Sequence, residues 1–241
     1  MHLKVNPNLE IQLVRLADDV TCAVIDDFLL NPAEAVDFAA AHVDGFEEQK
    51  RAYPGRVLPV AGTALAEPNR FMQREMSLLF PFCRGDLAMQ AQFLLTTLQP
   101  EAFSWIQRLP HTDPRLAPNR ANYAAVLYLF DNPELGGTGF YRWKDPDFLE
   151  EMTALQRDDP GAGLDWLCER HPMFREPARY VTESNDVVDL LDRAPARFNR
   201  LVFYSGEVPH SAWITRPDLL AGDPRTGRLT LNWFLSAIRR T

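Results

Sequence analysis

The sequence predicts an α+β protein whose core is mainly β-sheet. Helix-like patterns occupy much of the first 90 residues, whereas apolar and alternating segments dominate from residue 91 onward. Helices followed by strands indicate this class rather than the alternating order of a parallel sheet. The 241 residues, of which 46% are hydrophobic, suffice to bury the core of one compact domain. We therefore expect a single domain over residues 1–241, with 1–90 as helical support and 91–241 as the sheet core.

The first elements carry clear local signals. VTCAVIDDFL at 20–29 is rich in β-branched and aromatic residues and predicts a strand. In the helix predicted next, Asn31 suits the N-cap, Pro32 the first helical position and Glu34 the third, where its carboxylate favours the positive helix end.

The region up to residue 90 continues with a loop and a helix. Residues 51–70 contain three prolines and two glycines, which predicts a loop. FMQREMSLLFPFC, which begins at Phe71, has a broad apolar face and predicts the next helix.

Predicted strands follow from residue 91. They are AQFLLTTLQ, EAFSWIQRL, ANYAAVLYLF, GGTGFYRW after a tight Gly-Gly turn, RLVFYS, SAWIT and RLTLNWFLSAI. A charged insertion at 145–198 interrupts this series and looks helical in three pieces, namely DPDFLEEMTALQRDD, DWLCERHPMF and SNDVVDLLDRA. Such an excursion between strands typically caps a site or builds an interface, so we expect it to form a lid or a surface for homo-oligomerisation.

Charge and cysteine usage exclude several classes of function. The 25 basic and 33 acidic side chains give a net charge of −8, and the chain has no run of Lys and Arg, so nucleic acid and anionic membranes are not expected partners. No apolar stretch reaches the roughly 20 residues that cross a bilayer. The three cysteines are far apart and one must remain unpaired, which suits a reducing compartment. We expect a cytoplasmic protein.

Three side chains suggest a metal site. In an extended segment residues i and i+2 point the same way, so His111 and Asp113 present an imidazole and a carboxylate to one side. His210, in a turn after the apolar segment RLVFYS, would complete a set of two histidines and one carboxylate. This set leaves adjacent positions of an octahedral ion open, as non-haem Fe(II) oxygenases require. Alternatively, PHTDP is an ordinary turn in which Asp113 accepts backbone hydrogen bonds, and His210 is a core histidine.

The order of features around these residues resembles the Fe(II)- and 2-oxoglutarate-dependent dioxygenases, nearest the prolyl-4-hydroxylase-like branch. The resemblance rests on the His-x-Asp of His111 and Asp113, the Tyr128-Leu129 pair that ends an apolar strand, the Gly136-Gly137 turn, His210, and the strand GRLTLNWF. It implies a double-stranded β-helix (a jelly roll, cupin-like) with flanking N-terminal helices. It also implies Fe(II) held by His111, Asp113 and His210, with 2-oxoglutarate as cosubstrate.

The resemblance assigns cosubstrate binding to Arg228. A planar guanidinium can meet the distal carboxylate of 2-oxoglutarate with two parallel hydrogen bonds. Thr230 lies on the same side of the strand and can donate a hydroxyl hydrogen bond, whereas Leu229, Leu231 and Trp233 are expected to face the N-terminal helices. Arg216 and Arg225 are rivals, because Arg228 lies further after His210 than is usual in the family. Only Arg228 begins an alternating apolar strand.

The same resemblance suggests further residues of the pocket. Tyr128 is similar in position to a tyrosine that helps hold 2-oxoglutarate, although a strand tyrosine also suits the core. Asn122, on the same strand face, is a weaker candidate for the pocket wall. Residues 140–143, just past the Gly-Gly turn, are candidates for the substrate path.

The resemblance predicts a hydroxylase acting on an amino acid, a peptidyl side chain or a small metabolite. Family members that halogenate lack the carboxylate ligand, so Asp113 favours hydroxylation or a related oxidation. Two alternatives remain open. One is a non-catalytic barrel that works as a binding or assembly protein through residues 145–198. The other is a cupin-like metalloenzyme that uses no 2-oxoglutarate.

Overall fold

The computed structural model describes residues 1–48, 53–114, 117–151 and 160–239, which form mainly β structure around one large antiparallel sheet. The strands are β1 (Gln12–Ala17), β2 (Val20–Ile25), β3 (Glu47–Glu48), β4 (Gly55–Val60), β5 (Phe82–Thr96), β6 (Arg120–Tyr128), β7 (Gly137–Trp143), β8 (Val188–Pro195), β9 (Leu201–Ser205), β10 (His210–Trp213) and β11 (Arg228–Arg239). Eight of them build the large sheet in the order β1-β2-β9-β6-β11-β5-β4-β3, and three build a smaller sheet in the order β10-β7-β8.

The described part of the chain contains few helices. Those with defined bounds are α1 (Pro32–Ala41), α2 (Ala66–Phe71), which continues through a π-helical turn at Met72–Met76 into α3 (Ser77–Leu79), and α4 (Pro160–Arg170); residues 148–151 are also helical. Short 3-10 turns lie at Val43–Gly45, Gly62–Leu65, Pro100–Ala102, Trp105–Arg108, Pro133–Leu135, Pro172–Phe174 and Pro217–Leu219. Within the described residues, no helix is long and apolar enough to cross a membrane.

The first core layer lies between the large sheet and the N-terminal helices. Strand β11 sends Leu229, Leu231 and Trp233 into this layer, where they pack in one cluster with residues of the helical region such as Ala35 and Met76. The indole of Trp233 also donates a 3.0 Å hydrogen bond to Asn69 Oδ1 of α2. The expected direction of these three side chains is therefore confirmed.

The second core layer lies between the other face of the large sheet and the small sheet. Val126, Tyr128 and Tyr204 of the large sheet pack there with Phe140 of β7 and Ala194 of β8. Strands β6 and β9 are buried on both faces, which explains why their sequences are almost continuously apolar.

Helix α1 begins where the sequence predicts, with Pro32 at its first position. Asn31 occupies the N-cap position, but its side chain makes no capping hydrogen bond. Its amide is used instead to bind the N-terminal segment, accepting from the Lys4 N–H at 2.9 Å and donating to the His2 carbonyl at 2.9 Å.

The predicted loop at 51–70 is wrong for most of its length, since β4, a 3-10 turn and α2 lie there; residues 51 and 52 are outside the described residues. The prolines are tolerated for local reasons. Pro59 of β4 lies beyond the two residues of β4 that pair with β3, and Pro68 falls in the first turn of α2, where backbone N–H groups have no helical partner. The helix predicted from Phe71 is present but starts earlier, at Ala66, and ends before β5.

The predicted strand EAFSWIQRL is also wrong, because two 3-10 turns occupy it. Ser104 and Gln107 form a capping box: the Gln107 side chain accepts from the Ser104 N–H at 2.9 Å. Such local side-chain hydrogen bonds compete with strand pairing.

The 145–198 insertion is only partly helical. Its middle piece forms α4, residues 148–151 of its first piece are helical as predicted, and 152–159 lie outside the described residues. Its last piece is strand β8, which pairs with β7 from Val188 to Pro195, so the helix predicted there is wrong. Asn185 forms the turn just before this strand, where its Oδ1 accepts from the N–H groups of Val187 and Val188. Likewise, residues 1–90 supply β1, β2, β3, β4 and part of β5 to the large sheet as well as helices.

Candidate metal centre

The side chains of His111, Asp113 and His210 converge. Each offers one ligand atom, and these atoms all lie within 4.8 Å of one another. Backbone pairing brings them together, because the His111 N–H donates to the His210 carbonyl at 3.0 Å and the His210 N–H donates to the His111 carbonyl at 2.9 Å. The two imidazole centroids are 4.5 Å apart.

His210 is oriented by its own turn. Its Nδ1 lies 2.8 Å from the Val208 carbonyl oxygen, which can only accept, so Nδ1 carries the proton and Nε2 keeps its lone pair. The Tyr204 ring packs edge-on at 4.9 Å between centroids and restricts the imidazole from another side. A histidine held in this tautomer is prepared to bind a cation through Nε2.

Hydrogen bonds fix the backbone around Asp113, whereas its carboxylate atom Oδ2 has none with the residues that the structure describes. Its N–H donates to the Gly206 carbonyl at 2.7 Å, and Asn122 Nδ2 donates to the next carbonyl, that of Pro114, at 2.6 Å. Gly206 leaves the room that the carboxylate needs, because a Cβ there would lie 2.4 Å from Asp113 Oδ2. That Oδ2 atom is buried and has no hydrogen-bond partner among the described residues.

The electrostatics of the three groups suit a cation. Loss of solvent lowers the pKa of both His111 and His210 to about 4, so both imidazoles are neutral at pH 7. Burial raises the pKa of Asp113 to about 6, and the neighbouring His111 offsets only part of this rise. A bound cation would supply the missing compensation and the missing partner for Oδ2.

The donor set fits a divalent transition metal. Two imidazole nitrogens and one carboxylate oxygen are the set that suits non-haem Fe(II). Metal bonds of roughly 2.0 to 2.2 Å place two ligand atoms at most about 4.4 Å apart. The observed spacing within 4.8 Å is close to this requirement.

A cavity of about 120 Å³ adjoins the histidines. His111 and His210 line it, and so does Arg228, which is only 4% exposed. The guanidinium donates to the Leu135 carbonyl at 3.0 Å, to the Gly137 carbonyl at 2.7 Å and to Thr96 Oγ1 at 3.2 Å. All three acceptors are neutral, and Arg228 forms no ion pair with any side chain that the structure describes. A buried cation without a counter-charge is costly and is suited to bind an anion.

The two rival arginines lie on the surface. Arg216 forms ion pairs with Asp218 at 2.8 Å and Glu134 at 3.2 Å, and Arg225 pairs with Asp37 at 2.5 Å. Each already has a carboxylate partner, and neither lines the cavity.

The other expected pocket residues divide into two groups. Thr230 lines the cavity beside Arg228. Tyr128 does not line the cavity, which agrees with the alternative that it belongs to the core: it is fully buried, and its hydroxyl lies 2.7 Å from Thr138 Oγ1, which does line the cavity. Asn122 is also absent from the wall and supports the Asp113 segment instead.

Residues 140–143 do not line the cavity either. Phe140 packs in the second core layer, and the Tyr141 hydroxyl donates to the Val181 carbonyl at 2.6 Å. Arg142 pairs with Asp19, while Trp143 stacks on Phe148 at 5.7 Å. Phe140 and Tyr141 are buried and Arg142 is exposed, so the cavity gives no support to the expected substrate path along this strand, which stays a prediction.

Several residues that line the cavity are not among those predicted from the sequence. Asn232 could have been found, since it lies two residues beyond Thr230 on the same face of β11. Gln92 faces it from β5, where only the strand register places it. Tyr180 and Val181 come from the insertion, where the Tyr180 hydroxyl donates to the Leu98 carbonyl at 2.8 Å. Nothing in the local sequence signals these long-range contacts.

Comparisons with known proteins give a family and a set of similar folds. A family model described as "Family of unknown function (DUF6445)" matches residues 7–235. No curated protein matches. Similar solved structures include HygX from Streptomyces hygroscopicus with nickel, 2-oxoglutarate and hygromycin B bound, at 12% identity and a TM-score of 0.46, covering 90% of this chain and 82% of that one.

Two further structures are similar to a comparable degree. SnoN, a non-heme alpha ketoglutarate dependent epimerase from nogalamycin biosynthesis, has 15% identity and a TM-score of 0.47, covering 90% of this chain and 80% of that one. EvdO2 from Micromonospora carbonacea var. aurantiaca has 12% identity and a TM-score of 0.43, covering 91% and 86%.

Proposed function

We propose that this chain, which belongs to the DUF6445 family of unknown function, is a non-haem Fe(II)- and 2-oxoglutarate-dependent dioxygenase. One observation carries the proposal. Two neutral histidines and a carboxylate that lacks a partner converge beside a cavity whose wall also holds a buried arginine without a counter-charge. A redox metal would supply the partner that the Asp113 carboxylate lacks, and a dianionic keto acid would supply the counter-charge that Arg228 lacks.

The architecture supports the proposal. We infer that the large sheet and the small sheet, with the second core layer between them, form a double-stranded β-helix of the jelly-roll kind. The whole of residues 1–241 is then one oxygenase domain, and the metal lies at an open end of the barrel. Part of the 145–198 insertion covers that end through Tyr180 and Val181.

The metal would be held by His210 Nε2, an imidazole nitrogen of His111 and the carboxylate of Asp113. Fe(II) bound in this way supplies dioxygen activation at coordination positions that the protein leaves open. The residues themselves prepare the site. Val208 fixes the tautomer of His210, and Asn122 and Gly206 fix the backbone on either side of the Asp113 carboxylate.

The cosubstrate would be held by Arg228. Three of its five N–H groups bind protein oxygens, which leaves one N–H on each terminal nitrogen for the distal carboxylate of 2-oxoglutarate. Thr230 adds a hydroxyl donor on the same strand face. Tyr128 acts through Thr138, whose hydroxyl it orients at the wall.

The outcome of the reaction follows from the third ligand. Because Asp113 occupies that position, no space remains for a halide ligand, and we expect hydroxylation or a related oxidation. The substrate is an amino acid, a peptidyl side chain or a small metabolite that fits beside the histidines. The rival functions, a non-catalytic barrel and a metalloenzyme without 2-oxoglutarate, differ in their ligands and can be separated by experiment.

The test is an anaerobic titration of the metal-free protein, first with Fe(II) and then with 2-oxoglutarate. We expect the weak visible charge-transfer band that forms when the keto acid chelates iron, and we expect His210→Ala to abolish it. Arg225→Met, three residues before Arg228, is the control and should keep the band. Metal binding without the band would favour a metalloenzyme that uses no 2-oxoglutarate. Failure to bind metal would leave the non-catalytic barrel.

A further inference from the structure

Two amide side chains face each other on the wall of the cavity. Gln92 of β5 and Asn232 of β11 occupy paired positions on neighbouring antiparallel strands, and both line the cavity. Directly opposed residues of an antiparallel pair have their Cβ atoms about 4.5 to 5.5 Å apart, so the two amides lie side by side.

Neither amide hydrogen-bonds to any residue that the structure describes. Asn232 Oδ1 is buried and has no partner, a condition that is rare in folded proteins and costs free energy. Three other polar groups on the wall are already engaged in hydrogen bonds. The Tyr53 hydroxyl lies 3.0 Å from Thr96 Oγ1, the Tyr180 hydroxyl donates to Leu98, and Gln107 Oε1 accepts from Ser104. Gln92 and Asn232 therefore retain free hydrogen-bonding capacity.

The charges of the wall are also accounted for. Its ionisable side chains other than tyrosines are His111, His210 and Arg228. In the proposed function, on which this inference rests, the metal occupies the first two and the cosubstrate occupies the third. No charged side chain of the described wall is left for a substrate, and the neighbours of the amide pair include Leu94 and Phe234.

The amide pair is also separate from the cosubstrate carboxylate site. Asn232 lies four residues beyond Arg228 on the extended strand β11. At about 3.3 Å per residue the two positions are about 13 Å apart, so one carboxylate cannot contact both. A ligand of the amide pair must therefore be a different molecule or a different part of one.

We propose that Gln92 and Asn232 form the substrate-recognition subsite and that the substrate carries an uncharged amide there, either a peptide bond or a carboxamide. An amide offers one donor and one acceptor in a plane, which matches the donor and acceptor of each of these side chains. A free carboxylate or ammonium group would be desolvated beside neutral partners and is disfavoured. The subsite thus selects peptidyl or amide-bearing substrates over zwitterionic free amino acids.

The test uses three small probes that differ in charge, namely N-methylacetamide, acetate and methylammonium. Each is titrated into the ¹⁵N-labelled full chain, and the side-chain NH₂ resonances of Asn and Gln are followed by NMR. The isosteric variants Asn232→Leu and Gln92→Met assign the two signals. Gln90→Met, which changes an exposed glutamine two residues earlier on β5, is the matched control.

We expect N-methylacetamide to shift the Asn232 and Gln92 signals and the charged probes to leave them in place. Asn232→Leu should weaken N-methylacetamide binding about fivefold or more, the effect of losing one neutral hydrogen bond, and Gln90→Met should not. The inference is overturned if acetate or methylammonium shifts these signals as strongly, if no probe shifts them, or if affinity survives in the Asn232→Leu and Gln92→Met double variant.

The titration is run on metal-free protein and again with Zn(II) and 2-oxoglutarate added. A response to N-methylacetamide in both states, together with 2-oxoglutarate binding, supports the amide subsite within a dioxygenase. A response without any metal or 2-oxoglutarate binding keeps the amide subsite and overturns the dioxygenase. Binding of metal and 2-oxoglutarate without a response overturns the amide subsite alone.

Discussion

Strand β11 has two faces that differ in what they do. Leu229, Leu231 and Trp233 are fully buried against the N-terminal helices and belong to the main hydrophobic core. The alternate residues Arg228 and Thr230 are buried almost as deeply, but their face is polar and lines the cavity. Depth of burial therefore does not separate core from site in this strand. The two faces differ in what the buried side chains contact, which is other apolar residues on one face and the cavity on the other.

The largest effect is expected from a substitution on the core-facing side of β11. Trp233→Ala should lower the free energy of unfolding by about 3 to 5 kcal/mol, because it leaves a large cavity and removes the hydrogen bond to Asn69. Urea unfolding measures the change. Ile238→Ala, on the same strand but 37% exposed, is the control and should cost clearly less. Equal losses in the two variants would contradict the assignment of this face to the core.

The second prediction concerns a substitution on the cavity-facing side of β11. Arg228→Met should lower 2-oxoglutarate affinity about 100-fold or more, since two charge-assisted hydrogen bonds of roughly 1.5 to 3 kcal/mol each are lost. Stability should change by less than about 1 kcal/mol, because relief of a buried, unpaired cation offsets the three lost hydrogen bonds. Calorimetry on the Zn(II)-loaded protein measures the affinity.

Arg225→Met is the matched control for this substitution and should bind 2-oxoglutarate as the wild type does. Wild-type affinity in Arg228→Met would show that another group binds the keto acid. A loss of several kcal/mol of stability in Arg228→Met would show that Arg228 is a structural residue and that the two faces of β11 do not differ as argued.

The third prediction concerns the neighbouring strand β6, where Asn122 supports the ligand segment. Asn122→Leu should weaken Co(II) binding about 10- to 100-fold, the range found when a group that orients a metal ligand is removed. The cause is loss of the hydrogen bond to the Pro114 carbonyl, which lets the Asp113 carboxylate move. The visible spectrum of bound Co(II) reports both affinity and ligand geometry.

Asn132→Leu, which changes an exposed amide outside the cavity, controls for the loss of an asparagine. Gly206→Ala should weaken Co(II) binding in the same way, because its Cβ would meet the carboxylate. An unchanged Co(II) spectrum in both Asn122→Leu and Gly206→Ala would mean that Asp113 does not bind the metal.

The two faces of β11 also show what sequence could predict. Alternation along GRLTLNWF is local, so the opposite directions of Arg228 and Trp233 follow from strand geometry alone. The cross-strand neighbour of Asn232 is Gln92, and that pairing depends on register between strands distant in the chain. Tyr128 lies on the expected face, but the Thr138 hydroxyl stands between it and the cavity, a packing detail that no local pattern contains.

Errors in secondary structure have a similar cause. The apolar and aromatic residues of EAFSWIQRL predict a strand, yet the Ser104 and Gln107 side chains bind the backbone and favour a 3-10 turn. The helix predicted at SNDVVDLLDRA is a strand because β7 offers an unpaired edge there. In both cases a hydrogen bond outside the apolar pattern decides the local conformation.

The smallest expected effect concerns an ion pair that lies on neither face of β11. Its contribution to the free energy of unfolding can be compared with that of the core face. Asp26, at the end of β2, pairs with Arg200 at 2.6 Å and Arg197 at 2.8 Å, and the Arg200 hydrogen bond holds the pKa of this carboxyl below its usual value. A lowered pKa in the folded state contributes stability above the unfolded pKa of about 3.9, and this is lost as pH falls through the folded pKa.

Asp26→Asn should therefore cost about 1 kcal/mol at pH 7, since the groups are partly exposed. The difference from the wild type should shrink progressively below about pH 4, as the wild-type carboxyl becomes protonated. Urea unfolding at a series of pH values measures it, and Asp27→Asn, with its side chain 65% exposed, serves as the control. A cost as large as that of Trp233→Ala would mean that ion pairs at the sheet end, rather than the apolar face of β11, dominate stability.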